Sequence, residues 1–344
     1  APAAPVDIGS RDVRFHLASK TIELVTGPAQ FGLTFDGIGS RIFCSNRNPA
    51  TQVMFEQADL VGNPLAGLAA SIVDVVPAGD NSHVYPLVNA WVTSHLHSGQ
   101  FTAACGVFAR GLNDGRTDIF TCEPTGSLVH RQRSKRVGTR LIPDAEQQVP
   151  EGHEWLASRD AWFRPVNVTV APDAAMVIVD MHRGVIEHPA WVPEELKQRP
   201  DERWGNQAGR IVSIDSTTQL SDVWRELRER PLRTREDVEL VRLIGSENLW
   251  LRQTSERLLF ERAATTPGES ASGSQLSSAN IDALQQLVAD TSLPPDARCT
   301  ALRLAVLLSA SPASSGGSDS PGSGSRKDFG PLPTGERELS MVAL

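Results

Sequence analysis

The sequence predicts a mainly β N-terminal part built as β-propeller blades, followed by an all-α part of HEAT or armadillo type. Three observations lead to this fold class. Short β-prone runs separated by glycine-containing turns recur up to about residue 215. Two-helix patterns then recur at a fixed spacing. A chain of 344 residues is also long enough for two domains with separate cores.

Residues 12–215 predict successive antiparallel strands. In Phe31–Phe35 apolar residues alternate with small or polar ones, which is the period of a half-buried strand. The runs Phe101–Phe108 and Asp118–Cys122 flank a glycine-containing turn, as in a β-hairpin. A propeller blade takes roughly 40–50 residues, so about four blades are expected. We therefore expect a partial propeller, either a small one or one whose N-terminal blades are missing.

Residues 220–309 predict paired helices of HEAT-like repeats. Thr234 is the expected N-cap of a helix with an acidic first turn, and a second helix follows from about Leu249 to Ala263. Each unit has a counterpart 46 residues later, with the matched positions Val238 and Leu284, Val241 and Leu287, Arg252 and Arg298, and Leu258 and Leu304. A flexible Gly/Ser-rich insert is expected at 265–277.

The Ser/Gly/Pro-rich residues 310–344 are expected to be mostly disordered, because they bury too little apolar surface to offset their ordering entropy. The chain is acidic, with 33 Lys and Arg against 41 Asp and Glu and a net charge of -8. This charge argues against a nucleic-acid partner. The basic run Arg131–Arg140 is expected to be a solvated loop.

No apolar run approaches the roughly 20 residues that span a bilayer, so no transmembrane segment is expected in this chain. No signal peptide opens it either. Its 4 cysteines lack C-x-x-C spacing, which argues against a zinc site and against c-type haem attachment. Buried free thiols are expected, with a Cys105–Cys122 disulfide as the alternative.

Five stretches carry a family resemblance, and they are Phe31–Pro49, Val84–Gly106, Phe120–Arg131, Glu154–Val168 and Val179–Pro189. They resemble the membrane-bound dehydrogenase family of planctomycete-type bacteria. The β-propeller of that family is similar to that of glucose/sorbosone dehydrogenases that depend on pyrroloquinoline quinone (PQQ). The resemblance covers roughly residues 12–264. Many family members also carry a cytochrome domain with a C-x-x-C-H motif, which this chain lacks, so covalent haem in this chain is excluded.

The resemblance implies an oxidoreductase that transfers a hydride from a sugar or alcohol hydroxyl to PQQ, with calcium as the second cofactor. It also implies a periplasmic or cell-envelope location. A cytochrome electron acceptor or a protein partner would contact the helical repeats. The alternative is a noncatalytic propeller and HEAT module that binds a protein or a carbohydrate, because both architectures are common binding scaffolds.

Candidate site residues follow from that chemistry. A general base must take the hydroxyl proton, and we expect His97 first and His182 second. Guanidinium groups suit the three carboxylates of the quinone, amides can orient it, and Ca²⁺ prefers carboxylate oxygens. The expected cofactor-binding residues are Asn46, Arg47, Arg164, Asn167 and Arg183, and the expected metal ligands are Glu123 and Asp180. Each has a structural alternative, as a hydrogen-bonded core histidine, a clamping arginine or a turn former.

Overall fold

The computed structural model describes residues 7–16, 20–60, 71–88, 99–186, 194, 198, 204–214, 220–265 and 276–309. A part made mostly of antiparallel strands is followed by a helical part. The strands are β1 (Asp12–His16), β2 (Thr21–Val25), β3 (Phe31–Phe35), β4 (Arg41–Ser45), β5 (Asn48–Val53), β6 (Ile72–Asp74), β7 (Cys105–Gly111), β8 (Thr117–Glu123), β9 (Leu128–Val137), β10 (Arg140–Pro143), β11 (Leu156–Ala157), β12 (Pro165–Val170), β13 (Met176–Asp180) and β14 (Arg210–Ile214). The α-helices are α1 (Gln57–Leu60), α2 (Leu220–Glu229), α3 (Asp237–Ile244), α4 (Leu249–Thr265), α5 (Ser278–Ala289) and α6 (Pro295–Ser309).

Three antiparallel sheets follow one another along the chain. Sheet I has the order β3-β4-β5-β6, sheet II has β7-β8-β9-β10 with β11 on β9, and sheet III has β12-β13-β14. Strands β1 and β2 form a separate hairpin. The first strand of each sheet lies next to the first strand of the following one, since β3 packs against β7 and β7 against β12. The described strands form no closed barrel.

Two apolar layers hold the three sheets together. Sheets I and II share a core of Ile42, Cys44, Ala50, Val75, Val107, Ala109, Ile119 and Leu141. Sheets II and III share a second core, to which α4 adds one leucine: Phe108, Phe120, Cys122, Val129, Phe163, Val168, Val170, Met176, Ile178 and Leu249. Sheet II therefore packs against sheet I on one face and sheet III on the other, and every residue of its strand β8 is buried.

The predicted hairpin at the start of sheet II is confirmed, because β7 and β8 pair antiparallel with Cys105 opposite Cys122. Both cysteines are free, and burial raises the pKa of the Cys105 thiol to about 12. Next to them Gly106 has a φ of 56°. A Cβ at this position would lie 2.3 Å from the Val166 carbonyl oxygen, so glycine permits the close approach of sheet III.

The basic run was expected to be a solvated loop, and this expectation is wrong. It lies in β9 and β10, which pair antiparallel. Arg133 Nε donates to Asp118 Oδ1 at 2.7 Å, and Arg136 forms an ion pair with Asp36. Acidic partners on β8 and in the β3–β4 turn therefore pair with Arg133 and Arg136 in a run that looks purely basic in the sequence.

The helical part is two stacked helix pairs. Helix α3 packs against α4 and α5 against α6, while α3 also contacts α5 and α4 contacts α6. The second helices of the two pairs begin 46 residues apart, at Leu249 and Pro295, as the sequence predicts. The first helices begin 41 residues apart, at Asp237 and Ser278, and the matched residues Val238 and Leu284 are exposed and buried, respectively. They bury one apolar cluster, whose most buried members are Leu240, Val241, Ile244, Leu259, Leu284, Ala301, Leu304 and Leu308.

Thr234 is not the N-cap that the sequence predicts. It ends a 3-10 helix, Leu232–Thr234, and its hydroxyl donates to the Pro231 carbonyl at 2.8 Å. Helix α3 is capped instead by Glu236, which forms a reciprocal capping box with Glu239. The 3-10 helix after Pro231 moves the start of α3 to Asp237. The Thr234 hydroxyl therefore forms its hydrogen bond within that 3-10 helix and not with the first turn of α3.

Some predictions fall where the structure gives no description. The expected insert 265–277 lies mostly outside the described residues, and the expected tail 310–344 lies wholly outside them. Among the described residues, no helix combines the length and apolar composition needed to cross a bilayer.

Candidate functional site

The turns of the three sheets lie on two opposite edges. The helix-bound edge comprises the β3–β4, β7–β8 and β12–β13 turns, which are residues 36–40, 111–116 and 171–175. The open edge comprises residues 45–48, 99–104, 123–128, 158–164 and 180–184. Most of the predicted site residues that the structure describes lie on the open edge.

Asn46 and Arg47 occupy the β4–β5 turn at one end of the open edge. The Asn46 carbonyl accepts the N–H of Ala104 at 3.0 Å. Arg47 Nη2 donates to Gln100 Oε1 at 2.9 Å and to Asp80 Oδ1 at 2.5 Å. Both residues therefore fasten this turn to the segment that leads into β7.

Glu123 joins the same segment to the β8–β9 turn. Its side chain is fully buried, and its Oε2 accepts the N–H groups of Thr102 at 3.1 Å and Ala103 at 3.0 Å. Its Oε1 accepts the N–H of Thr125 at 3.1 Å. Burial raises the pKa of Glu123, and the hydrogen bonds only partly offset that effect.

Arg164 is buried and binds backbone carbonyls. Nη1 donates to Pro124 O at 2.6 Å, Nε to Arg183 O at 3.1 Å, and Nη2 to Gly184 O at 3.0 Å. Each guanidinium nitrogen thus has a carbonyl partner. In this arrangement Arg164 clamps the β8–β9 turn to the segment after β13.

Asp180 ends β13 and is fully buried. Its Oδ1 accepts the N–H groups of Arg164 at 2.7 Å and His182 at 2.8 Å, and its Oδ2 accepts Arg210 Nε at 2.7 Å. His182 has a φ of 47°, in the left-handed region that a residue with a Cβ seldom adopts. Such strain costs on the order of 1–3 kcal/mol and concentrates at functional sites.

The His182 ring has acidic and aromatic neighbours. Its Nδ1 is buried and has no hydrogen-bond partner among the described residues, and it lies 3.7 Å from Asp180 Oδ2 and 3.8 Å from Asp160 Oδ2. Its ring centroid lies 5.5 Å from that of Trp162, which lies 6.3 Å from that of Trp204. We name six residues the His182 cluster: Asp160, Trp162, Asp180, His182, Trp204 and Arg210.

Charge balance within the cluster comes from Arg210. Its Nη2 donates to Asp160 Oδ2 at 3.1 Å while its Nε binds Asp180. Burial opposes ionisation of Asp160, but hydrogen bonds from the Trp162 N–H and Arg210 outweigh it and lower its pKa. The cluster therefore holds two carboxylates, one guanidinium and one imidazole around an accessible surface.

The structure brings together five of the predicted residues through the bonds above, namely Glu123, Arg164, Asp180, His182 and Arg183. Asn46 and Arg47 lie further along the same edge. Asn167 stands apart, since it is exposed within β12 opposite Val179. His97 lies outside the described residues. Among the described residues, no three His, Cys, Asp or Glu side chains are grouped to hold a metal ion.

Sequence reasoning missed several members of the site. Asp160 and Trp162 stand in the same stretch as Arg164, which is a local signal that could have included them. Arg210 and Trp204 come from a distant stretch with no such signal. A second histidine–carboxylate pair was also missed, with His130 Nδ1 at 2.8 Å from Glu154 Oε2.

These features define a protein whose antiparallel sheets carry a polar edge and whose helical part covers the other edge. The chain belongs to the family described as a domain of unknown function (DUF7133), which matches residues 2–218. No curated protein and no solved structure matches the chain.

Proposed function

We propose that this chain is the propeller and HEAT-like part of a quinoprotein-type dehydrogenase that oxidises a sugar or alcohol. One observation carries the proposal: the His182 cluster sets a strained histidine beside two carboxylates and two tryptophans on the open edge. The proposal includes PQQ and Ca²⁺ as cofactors and a periplasmic or cell-envelope location. A cytochrome acceptor or another protein would bind the helical repeats.

The fold supports this reading in two ways. Three antiparallel meanders follow one another with their first strands adjacent, as blades around an axis would be arranged. The two stacked helix pairs have the repeat length of HEAT and armadillo units. Both features agree with the sequence resemblance, which remains the source of the proposed reaction.

The cluster residues suit proton removal from a hydroxyl group. His182 is the proposed proton acceptor, and its Nδ1 lies 3.7 Å from Asp180 Oδ2 and 3.8 Å from Asp160 Oδ2. Arg210 holds both carboxylates in place. Trp162 and Trp204 offer apolar ring faces of the kind on which sugar rings pack. The quinone, when bound, would supply the acceptor for the substrate hydride.

The expected cofactor set fits the described residues only in part. Arg183 Nε is buried without a hydrogen-bond partner among them, so a ligand carboxylate would satisfy it. Glu123 and Asp180 are fully buried, and both oxygens of each already accept hydrogen bonds. Neither offers an open position to calcium, so we assign no calcium site and derive no step through the ion.

The test is a dye-coupled assay of the full chain with PQQ, CaCl₂, a dichlorophenolindophenol acceptor, and D-glucose or 1-propanol as substrate. We expect dye reduction that requires the quinone. His182→Gln should lower kcat/KM by about 100-fold or more, since general-base catalysis contributes about 10²–10⁴-fold. The matched control His153→Gln, at an exposed histidine, should leave the rate unchanged. Absence of dye reduction and of any quinone absorbance change with the wild-type chain would overturn the proposal.

The second candidate is a noncatalytic carbohydrate-binding module. It is favoured by the exposure of Trp204, 54% of which is accessible, beside the partly exposed Asp160 and Arg210. Titration calorimetry with cellohexaose, without quinone, distinguishes the two functions. Binding that Trp204→Ala abolishes, together with no dye reduction, would select the module.

A further inference from the structure

A second histidine on the β part has the geometry of an activated proton acceptor. His130 lies near the start of β9, opposite Thr121 of β8. Its Nδ1 lies 2.8 Å from Oε2 of Glu154, a residue just before β11. β11 itself pairs with the start of β9, which holds the two side chains side by side.

Glu154 is fixed from both sides. Its side chain is 0% exposed, and its Oε1 accepts the Tyr85 N–H at 2.9 Å while Oε2 faces His130. A buried carboxylate whose two oxygens both accept hydrogen bonds is held in one orientation. It therefore determines the position of the imidazole plane.

The imidazole is only partly enclosed. Its side chain is 22% exposed, and the Phe101 ring packs edge-on against it with a centroid distance of 5.6 Å. Because a carboxylate only accepts hydrogen bonds, Nδ1 carries the proton and Nε2 keeps its lone pair. No described residue is hydrogen-bonded to Nε2.

We propose that the pair forms a hydroxyl-binding site in which His130 Nε2 accepts the proton of an alcohol or sugar hydroxyl and Glu154 is the positioning residue. When the proton is transferred, the O–H bond breaks, its electron pair stays on oxygen, and Nε2 gains the proton. Glu154 then faces an imidazolium, which a carboxylate stabilises. This inference rests on the proposed dehydrogenase function. Oxidation of one alcohol releases one hydroxyl proton, so His130 is the alternative to His182 as its acceptor, and the variants of the two histidines decide between them.

A purely structural pair would not need this arrangement. Two fully buried partners would serve packing as well, whereas here the carboxylate is buried and the imidazole remains accessible. The neighbouring segments 82–85 and 99–101 are tied together, since Phe101 N–H donates to Ser82 O at 3.0 Å and Val84 N–H to Gly99 O at 2.9 Å. They form a fixed wall beside the ring.

The first test is the ring tautomer of His130, read by long-range ¹H–¹⁵N correlation spectra of the full chain. We expect the neutral ring to carry its proton on Nδ1. D-Glucose or glycerol at about 0.1–1 M, a range that suits the weak affinity expected of a single hydroxyl contact, should shift the Nε2 resonance. Glu154→Gln places an amide that can also donate beside Nδ1, so the ring should no longer be held in the Nδ1-protonated tautomer. A proton on Nε2 in the wild-type chain, or no response to either ligand, would overturn the inference.

The second test is kinetic and separates this inference from the proposed function. In the dye-coupled assay His130→Asn should lower kcat/KM by about 10²-fold or more, while His153→Asn should not. Wild-type activity that His130→Asn leaves unchanged would overturn the inference and leave the dehydrogenase proposal standing. If His130 carries its proton on Nδ1 and responds to the ligands, but the wild-type chain reduces no dye, only the dehydrogenase proposal is overturned. If Glu154→Gln fails to fold, the wild-type tautomer still decides the matter.

Discussion

The two edges of the sheets differ in how they use turn residues. At the helix-bound edge, Gly37 and Gly111 leave room for Asp296 at the start of α6, since a Cβ on either would lie within 1.8 Å of its side chain. At the open edge, Glu123, Arg164 and Asp180 fill the corresponding space with buried polar side chains bound to backbone groups.

Further contacts fasten the helices to their edge. Asn248 Nδ2 donates to Pro172 O at 2.7 Å, and Trp224 Nε1 donates to Asp173 Oδ2 at 2.5 Å. Asn113 Nδ2 donates to Glu247 Oε1 at 3.3 Å. These contacts cover turns that would otherwise face solvent.

This difference shows that the turns at the two edges of the same antiparallel sheets serve two purposes. Small turn residues let a second structural layer approach the backbone, which stabilises the molecule but closes that edge. Large charged residues hold neighbouring turns at fixed distances and leave accessible side chains such as His182. Four substitutions can break or sharpen this comparison.

The largest effect is expected for Arg164→Met. The change leaves several buried carbonyls without their donor, and each costs about 1–3 kcal/mol, so we expect a loss of about 3–5 kcal/mol in the free energy of unfolding. Urea denaturation measures it, with exposed Arg159→Met as control. A loss equal to that of the control would mean that Arg164 is not the clamp of the open edge and is available for a ligand.

The next effect is expected for Gly111→Ala at the helix-bound edge. A Cβ there would lie 1.5 Å from Asp296 Oδ2, so the helix or the turn must shift, at a cost of about 1–3 kcal/mol. Gly209→Ala is the matched control, because its nearest contact is an ordinary 3.8 Å. Adding Asp296→Ala should recover part of the loss, and purely additive effects in the double-mutant cycle would contradict a clash between these two residues.

A smaller effect separates the true helix cap from the predicted one. Glu236→Ala removes the capping box of α3 and should cost about 1 kcal/mol. Thr234→Ala removes only an exposed hydrogen bond to Pro231 and should cost less. Thermal unfolding of the two variants shows which substitution lowers stability more. A greater loss for Thr234→Ala would indicate that Thr234 is the helix cap, as the sequence predicts.

The smallest effect is a pH dependence at the open edge. The pKa of Asp160 is lowered in the folded protein, so its stabilising contribution is present above the unfolded value of about 3.8 and is lost as the pH falls. The gap in urea midpoint between wild type and Asp160→Asn should therefore shrink from pH 6 to pH 3. A gap that widens towards pH 3 would contradict the assigned partners, which are the Trp162 N–H and Arg210.

Local patterns in the sequence predicted secondary-structure elements better than they predicted which side chains contact one another. The alternation in Phe31–Phe35 and the glycine turn before Thr117 were enough to locate strands and a hairpin. The basic run was misread because its partners are distant in the chain: Asp118 lies on β8 and Asp36 in the β3–β4 turn. Among the candidate site residues, the sequence found Asp180 and His182 but could not connect them with Arg210.

The sequence by itself determined most of the strands and helices, but not β9 and β10, because hydrophobic periodicity and turn residues act between near neighbours. Only the tertiary structure decided which edge the helices cover and which histidines meet a carboxylate. Those outcomes depend on side chains far apart in the chain, such as His130 and Glu154, whose meeting is set by strand register.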